Sequence, residues 1–364
     1  MDNVGNENIY FDKKGICNFC YEYETKSKLR LVDSSKRDVE LNDLINKIKL
    51  SGKKSDYDCL IGISGGVDST YTAHLVKKIG LRPLALHFDN GWNSELAVHN
   101  IEKTLKMLDI DLTTYVIDWE EFKSLQLSFL KSSTPDGEIP TDHAILSILY
   151  KVANQYDIKY IISGNNFKNE GVMPENWAYG HIDWRYIKGV HQKFGNKNLR
   201  TYPFLTLKKF IWYTFIKKIK IISILNYIDY QKDEAMRVLE NELGWKYYGG
   251  KHYESNYTKF FQGVILPQKF KIDKRKLHLS ALILSDQISR EEALEVLSSP
   301  IYPENQLDSD TEYFKKKLEL SDDEYDKIIT DKLKSFKDYK NSYVFHKILR
   351  RFLAYLRSKK MYFN

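Results

Sequence analysis

Only three cysteines stand in the 364 residues, at positions 17, 20 and 59. With no signal peptide and no apolar run of membrane length, they place the chain in a reducing cytoplasm. The nearest approach to a spanning segment, Phe210 to Ile228, is interrupted by Lys217, Lys218 and Lys220 and is expected to form a buried or amphipathic helix. Two nucleotide signatures are missing as well. Without Gly-x-x-x-x-Gly-Lys-Ser/Thr the chain is not a common P-loop triphosphatase, and without Gly-x-Gly-x-x-Gly it lacks the dinucleotide fingerprint. There is one Cys-x-x-Cys, Cys17 to Cys20, and no second pair. It supplies two of the four ligands a tetrahedral zinc needs, so zinc is possible but half-provided.

What is present is a sizeable hydrophobic fraction, 42%, and a positive balance of +7 with a sequence pI near 8.9. The excess lysines are spread widely, which suits an anionic substrate better than a nucleic-acid stripe. The length predicts one main domain with attached segments.

The chain is organised around Asp58-Cys-Leu-Ile-Gly-Ile-Ser-Gly-Gly-Val-Asp-Ser-Thr70. It reads as strand, tight loop, helix. Paired glycines let successive backbone N–H groups turn inward, and the helix that follows adds unpaired N–H groups and the positive end of its dipole. That combination is an anion cradle formed by Ser64, Gly65, Gly66 and Ser69. Asp68, placed among anion-binding groups, points to a divalent cation shared with phosphates.

Downstream, Pro83 to Phe88 reads as a second strand that ends in His87, Asp89 and Asn90, Leu112 to Ile117 as a third, and Lys159 to Ser163 as a fourth that ends in Gly164, Asn165 and Asn166. Helical patterns separate them, among them Val39 to Leu50 ahead of the first strand, Glu95 to Leu108, and Thr141 to Tyr156 with Thr141 as its cap. This alternation predicts an α/β fold, a doubly wound parallel sheet whose strand ends meet at one mouth. The expected organisation is a Cys-x-x-Cys segment over 1–52, the sheet domain over 53–205, a helical substrate-side region over 206–340 and a basic amphipathic helix over 341–364. In that last helix Val344, Phe345, Ile348, Leu349, Phe352, Leu353 and Leu356 form the apolar side, opposite His346, Lys347, Arg350, Arg351 and Arg357. Ser289 with Glu292 and Ser321 with Glu324 read as capping boxes.

Further candidates lie outside the strand ends. Asp142 and His143 follow Thr141 without being needed for capping. The aromatic, glycine-bearing segment from Phe167 to Trp184, with His181 and Trp184, reads as a lid or substrate loop. Two polar clusters follow, Tyr247 to Ser255 with Lys251, His252 and Glu254, and Asp273 to Ser280 with Arg275 and His278.

Ser-Gly-Gly-Val-Asp-Ser after a buried strand resembles the pyrophosphate loop of the ATP pyrophosphatases. With Cys17-Asn-Phe-Cys20, His87 to Trp92, Thr141 to His143, Ser163 to Asn166, Tyr247 to Ser255, Asp273 to Arg275 and His278, the chain resembles the N-acetyl sugar amidotransferase family of bacterial surface-polysaccharide and O-antigen pathways. Members carry another Cys-x-x-Cys upstream, near where Met1 to Val4 stand here. The resemblance implies an adenine nucleotide alpha hydrolase-like PP-loop domain using ATP and Mg2+. It also implies conversion of an acetamido group on a nucleotide-activated sugar into an acetamidino group, with ammonia from a separate glutaminase subunit. Asp68 would hold magnesium, and Lys251 or Arg275 would neutralise developing charge. A PP-loop tRNA-modifying enzyme and a non-catalytic nucleotide-binding scaffold are the alternatives. Nucleic acid is not an expected partner. Peripheral membrane contact through the C-terminal helix is possible.

Overall fold

The structure is a computed structural model that describes residues 1–5, 8–250 and 253–358, with side chains through Leu356. Two helices, α1 (Asn18–Arg30) and α2 (Arg37–Gly52), lead into an alternating series. It runs β1 (Cys59–Gly62), α3 (Val67–Lys78), β2 (Pro83–Asp89), α4 (Glu95–Leu108), β3 (Asp111–Val116), α5 (Trp119–Lys131), α6 (Ile139–Gln155) and β4 (Tyr160–Ser163). After α7 (Phe167–Glu170), α8 (Trp184–Phe194) and α9 (Leu207–Ile211) comes a fifth strand, β5 (Lys220–Ser223), and then α10 (Lys232–Leu243). The rest is helical: α11 (Asn256–Phe260), α12 (Leu266–Phe270), α13 (Arg275–Leu284), α14 (Arg290–Ser298), α15 (Glu304–Leu318), α16 (Asp322–Thr330) and α17 (Tyr343–Ser358).

All five strands are parallel in the order β3-β2-β1-β4-β5. Side chains alternate across the sheet. Leu60, Leu84, Leu86 and Ile161 enter a core with Phe122, Phe129 and Ile148. Cys59, Ile61, Ala85, Ile162 and Ile222 enter a second core with Ile45, Ile48, Val76 and Leu239. A sheet covered on both faces has no solvated side, which is why its central strands read as unbroken apolar runs. Each such buried aliphatic side chain contributes roughly 1.5–3 kcal/mol.

The parallel, doubly wound sheet is as expected, and both capping boxes form, Ser289 with Glu292 and Ser321 with Glu324. Four expectations are corrected. The stretch Phe210 to Ile228 is not one helix: after α9 a π turn, Trp212–Ile216, leads to Lys218 at φ +58°, and the isoleucines that follow pair with β4. The sheet thus runs past residue 205. Helix α6 starts at Ile139, with Pro140 in its first turn and Glu138 at the cap, so Thr141 is inside it. The aromatic segment before α8 is not an open lid, because Trp177 and Tyr179 are buried and the Trp177 indole donates to the Gly5 carbonyl at 2.7 Å. Finally, α17 docks through buried His346 and partly buried Leu349 and Leu353, while Val344, Phe345, Ile348 and Phe352 face outward.

Candidate active site

The strand order reverses between β1 and β4, where the connections leave the sheet in opposite directions and open a crevice at the carboxyl ends. Two glycine-bearing loops meet there. Gly65 has φ +82°, and a Cβ on it would stand 2.5 Å from the Ala97 carbonyl oxygen; only glycine lets the turn pass so close to α4. From the other side Gly164 lies on the first turn of α3, where a Cβ would come within 2.9 Å of the Asp68 carbonyl carbon and 3.0 Å of the Ser69 nitrogen. The serines hold the loop's shape. Ser64 and Ser69 hydroxyls are 3.2 Å apart, the Ser64 N–H donates to Ser69 Oγ at 3.2 Å, and Ser69 Oγ donates to the Gly66 carbonyl at 3.1 Å.

Asp68 sits in the first turn of α3, where the helix dipole favours a carboxylate. Its Oδ1 accepts from the Tyr230 hydroxyl and from the Asn166 amide at 3.5 Å. Burial beside Asp68 pushes the Tyr230 phenol far up, so it stays a donor. The residues present suit a divalent cation: a carboxylate fixed from behind, at the edge of a cradle of N–H and hydroxyl donors that a second carboxyl group, Glu254, also reaches.

The segment that follows α10 closes over this cradle. Trp245 donates to the Gly65 carbonyl at 2.9 Å, and the Tyr248 hydroxyl accepts the Val67 N–H at 3.2 Å, placing an oxygen where the end of α3 would receive an anion. Burial, with Glu254 nearby, pushes the Tyr248 phenol up. A Cβ on Gly66 would stand 3.0 Å from Glu254 Oε1, so this carboxyl group reaches the loop itself. The segment is anchored to the end of β2: Ser94 donates its N–H to the Glu254 carbonyl at 2.9 Å, Asn256 its N–H to the Trp92 carbonyl at 2.8 Å, and Asn93 bridges Ser255.

His87 spans two strand ends. Its Nδ1–H donates to the Ile63 carbonyl at 3.1 Å, and its Nε2 accepts from the Asn93 amide at 3.1 Å. Asp89 Oδ1 accepts from Gly91 N–H at 2.9 Å and Asn90 Oδ1 from Trp92 N–H at 3.1 Å, fixing the turn. Beside this turn a cleft of about 310 Å³ opens between the ends of β2 and β3, lined by Asp89, Asn90, Val116, Ile117, Trp119 and Lys317. The Lys317 ammonium lies 4.9 Å from the Trp92 ring and 5.3 Å from that of Trp119. A lining that combines apolar side chains with a few polar groups is what a flat heterocycle with a polar appendage requires.

The other expected site residues are placed differently. Asn165 is exposed and its N–H bonds to Ser163 Oγ at 3.2 Å; Asn166, its neighbour, is the one that reaches Asp68. Asp142 is exposed on α6. His143 is buried, with Nδ1–H donating to the His181 carbonyl at 2.5 Å and Nε2 accepting from Leu205 N–H at 3.0 Å; both nitrogens are spent on backbone, so it holds two loops together. Burial lowers its pKa to about 4, and burial near Arg350 does the same for His181. Trp184 stacks with Phe204 at 4.6 Å and with His143 at 5.7 Å. His278, on α13, meets the Asn169 carbonyl at 3.5 Å.

Arg275 is a correction in kind. Its guanidinium pairs with Asp273, 2.9 Å from Nη2, and donates from Nη1 to the Val296 and Ser299 carbonyls at 3.2 and 2.9 Å. It closes the end of α14 rather than presenting a charge to the cradle. Lys251 and His252 lie outside the described residues. Cys17 and Cys20 stand at the start of α1 with sulfurs 3.4 Å apart, and among the described residues no third Cys, His, Asp or Glu joins them as a metal-binding group. Two thiols do not make a structural zinc site.

Tyr230, Trp245, Tyr248 and Lys317 are not singled out by sequence, whereas Asn166 belongs to the strand-end group Gly164 to Asn166. For Trp245 and Tyr248 a signal exists, since they lie in or beside the cluster Tyr247 to Ser255. Tyr230 and Lys317 have none.

Residues 254–352 match the family described as LPS biosynthesis protein WbpG-like, C-terminal domain. Among curated proteins the chain is similar to a tRNA-5-methyluridine(54) 2-sulfurtransferase of Thermotoga maritima, 27% identical over 41% of this chain and 51% of that protein. It is also similar to the tRNA-specific 2-thiouridylase MnmA 2 of Fusobacterium nucleatum subsp. nucleatum, 24% identical over 39% of this chain and 41% of that protein. The chain thus spans about half the length of the curated relatives it matches. Among solved structures, an NH3-dependent NAD synthetase from Campylobacter jejuni subsp. jejuni aligns at 18% identity and a TM-score of 0.32, covering 73% of this chain and 97% of that one. An NMN synthetase from Francisella tularensis aligns at 18% and 0.31, covering 61% and 92%.

Proposed function

We propose that this chain is an ATP-using amidotransferase of the PP-loop kind, acting on the acetamido group of a nucleotide-activated sugar in the synthesis of a bacterial surface polysaccharide. The observation that carries the reading is the Ser64–Ser69 cradle with Asp68 at its edge, closed by the segment that leads into the WbpG-like region. That matched region begins at Glu254, the residue whose carboxyl group stands against Gly66.

The chemistry needs such a cradle. An amide carbon resists ammonia because its oxygen leaves poorly. Attack of that oxygen on the α-phosphorus of ATP forms an adenylated imidate and expels pyrophosphate. Ammonia then adds to the imidate carbon, AMP departs with the former amide oxygen, and loss of a proton leaves the acetamidino group. Backbone N–H groups at the start of α3 and the Ser64 and Ser69 hydroxyls bind the pyrophosphate as its charge develops, the Tyr248 hydroxyl giving up the Val67 N–H to it and the Ser69 hydroxyl turning to it from the Gly66 carbonyl. Asp68 would hold magnesium, which supplies charge neutralisation when bound. The cleft between β2 and β3 receives the nucleoside, with Trp119, Val116 and Ile117 against the base. Ammonia comes from a separate glutaminase: Cys59 is fully buried in β1, where burial pushes its thiol up, Cys17 is buried at the start of α1, and burial beside Cys17 pushes the Cys20 thiol up as well.

A second reading, tRNA thiolation, is favoured by the names of the two curated relatives. It requires a reactive thiol at the cleft, and Cys59, Cys17 and Cys20 are unsuited for the reasons just given. Incubation with ATP, magnesium, ammonium and a panel of nucleotide-activated N-acetyl sugars tests both. The proposal expects AMP and pyrophosphate in equal amounts and a sugar product whose amide oxygen is replaced by nitrogen, with glutamine unable to replace ammonium. ATP cleavage that starts only on adding tRNA and a sulfur donor would favour the second reading.

A further inference from the structure

Two stretches of the chain contain no acidic residue. Between Asp183 and Asp229 there are ten Lys and Arg and no Asp or Glu, and after Asp338 there are seven and none to Asn364. Taking those seventeen from the 56 basic residues leaves 39 against 49 acidic ones, so the whole positive balance of +7 resides in these two stretches. The expectation of a widely spread excess is thereby corrected: the excess positive charge is segregated into these two stretches.

The same stretches turn large apolar side chains to solvent. Around α9 and its π turn, Phe210 and Thr214 are buried while Ile211, Trp212, Phe215 and Ile216 are 36–67% exposed. On α17, Val344, Phe345, Ile348, Phe352 and Tyr355 are 49–72% exposed and follow helical spacing, opposite the docked side of His346, Leu349 and Leu353. Scattered exposed apolar residues are ordinary; two clusters, each set among lysines and arginines, are not. Lys208, Lys209, Lys218, Lys347 and Arg351 are exposed beside them.

Both elements rest on one short segment, Tyr179 to Trp184. Arg350 of α17 donates to the Tyr179 carbonyl at 3.2 Å and Ser342 donates its N–H to Asp183 at 2.5 Å. Phe204, just ahead of α9, stacks on Trp184 at 4.6 Å, with the Lys209 ammonium 5.4 Å from the Phe204 ring. No helix among the described residues is long and apolar enough to cross a membrane. Apolar side chains including a tryptophan, in stretches whose charged residues are all cations, match the boundary between acyl chains and anionic headgroups. We propose that α9 with its π turn and α17 together seat this protein on the surface of an anionic lipid bilayer.

The test is sedimentation of the full chain with vesicles of phosphatidylcholine alone and of phosphatidylcholine with phosphatidylglycerol. The wild type should pellet with the anionic vesicles only, and less so as salt is raised. Trp212→Ser with Phe215→Ser, and separately Phe345→Ser with Ile348→Ser, should each lower partitioning at least about ten-fold. Lys347→Glu with Arg351→Glu, which leaves the apolar face intact, should lower it by on the order of five-fold or more per charge. Because Phe345, Ile348, Lys347 and Arg351 are solvent-exposed, melting temperatures of those two variants should stay within a few degrees of wild type; Trp212 and Phe215, 40% and 38% exposed, also pack on the chain, so their variant is read only on folded protein. Wild type left in the supernatant, equal binding to both vesicle types, or unchanged binding by either apolar variant would overturn the proposal. So would a wild-type dimer in solution that these variants dissolve while no vesicle binding is seen, since the surface would then belong to a protein partner.

Discussion

The mouth of β1 and the knot around Asp183 are built from the same kinds of residue, and they do opposite things with them. Asp68 and Asp183 are each bonded by a tyrosine hydroxyl, Tyr230 and Tyr179. At Asp183 the chain continues to converge: Arg185 and Tyr186 donate their N–H groups at 3.0 and 3.3 Å, Ser342 at 2.5 Å, and His346 lies 3.7 Å away. Burial would raise this carboxyl group, yet those donors, His346 and Tyr179 foremost, hold it down at about 2. At Asp68, by contrast, glycines at 65 and 164 bring backbone close where no side chain would fit, and Gly66 leaves room for the Glu254 and Tyr248 side chains. A carboxylate wrapped by its own chain is a staple; one set at the rim of a glycine cradle is poised for a ligand.

Exchanging the two carboxylates for amides should separate these roles most sharply. Asp68→Asn should cut pyrophosphate release by on the order of a thousand-fold, with melting temperature nearly unchanged. Asp183→Asn should do the reverse, costing about 2–4 kcal/mol in urea unfolding with turnover per folded molecule unchanged. Full turnover by Asp68→Asn would dissolve the contrast.

Gly164→Ala comes next. The added methyl group must push against the first turn of α3, so turnover should fall on the order of ten- to a hundred-fold through misplacement of Asp68 and Ser69. Wild-type kinetics would mean that the two loops do not form one site.

Arg275→Gln sharpens the comparison from the helical side. With its partners Asp273 and the end of α14 left unpaired, stability should drop by about 1–3 kcal/mol. Turnover per folded molecule should stay within about three-fold. A folded variant without turnover would return Arg275 to the chemistry.

The smallest effect is one of pH. His143 in the folded chain binds a proton more weakly, near 4, than an unfolded histidine near 6.5. Its contribution is therefore fully present above about pH 6.5 and is lost as pH falls toward 4, by about 1 kcal/mol between pH 7 and pH 5.5. Urea unfolding at the two pH values should show this loss, and His143→Gln should reduce it. Stability that rises on acidification would contradict the buried, backbone-bonded ring.

How much of this was legible follows from distance along the chain. The alternating order of β1 to β4 and the bounds of α4 could be read because apolar periodicity is local. Strand β5 could not. Its four residues are too short to declare a period, and the isoleucines around it suit a buried helix equally well. The cradle was legible because its glycines and serines are consecutive. What closes it was not: the bonds from Tyr230, Trp245 and Tyr248 to the loop join residues 162, 180 and 181 positions apart. Spacing rules say nothing about such pairs. His143 and Arg275 show the converse, since a reactive-looking residue is disarmed by backbone partners that only the tertiary fold brings.

The central claim is that AMP is transferred to the amide oxygen of the sugar, and oxygen labelling reaches it directly. A nucleotide-activated N-acetyl sugar carrying heavy oxygen in its acetamido group would be turned over with ATP, magnesium and ammonium, and the nucleotide products examined by mass spectrometry. The account predicts one heavy oxygen in the phosphate of AMP and none in pyrophosphate. Label retained in the sugar, or found in inorganic phosphate beside ADP, would contradict it.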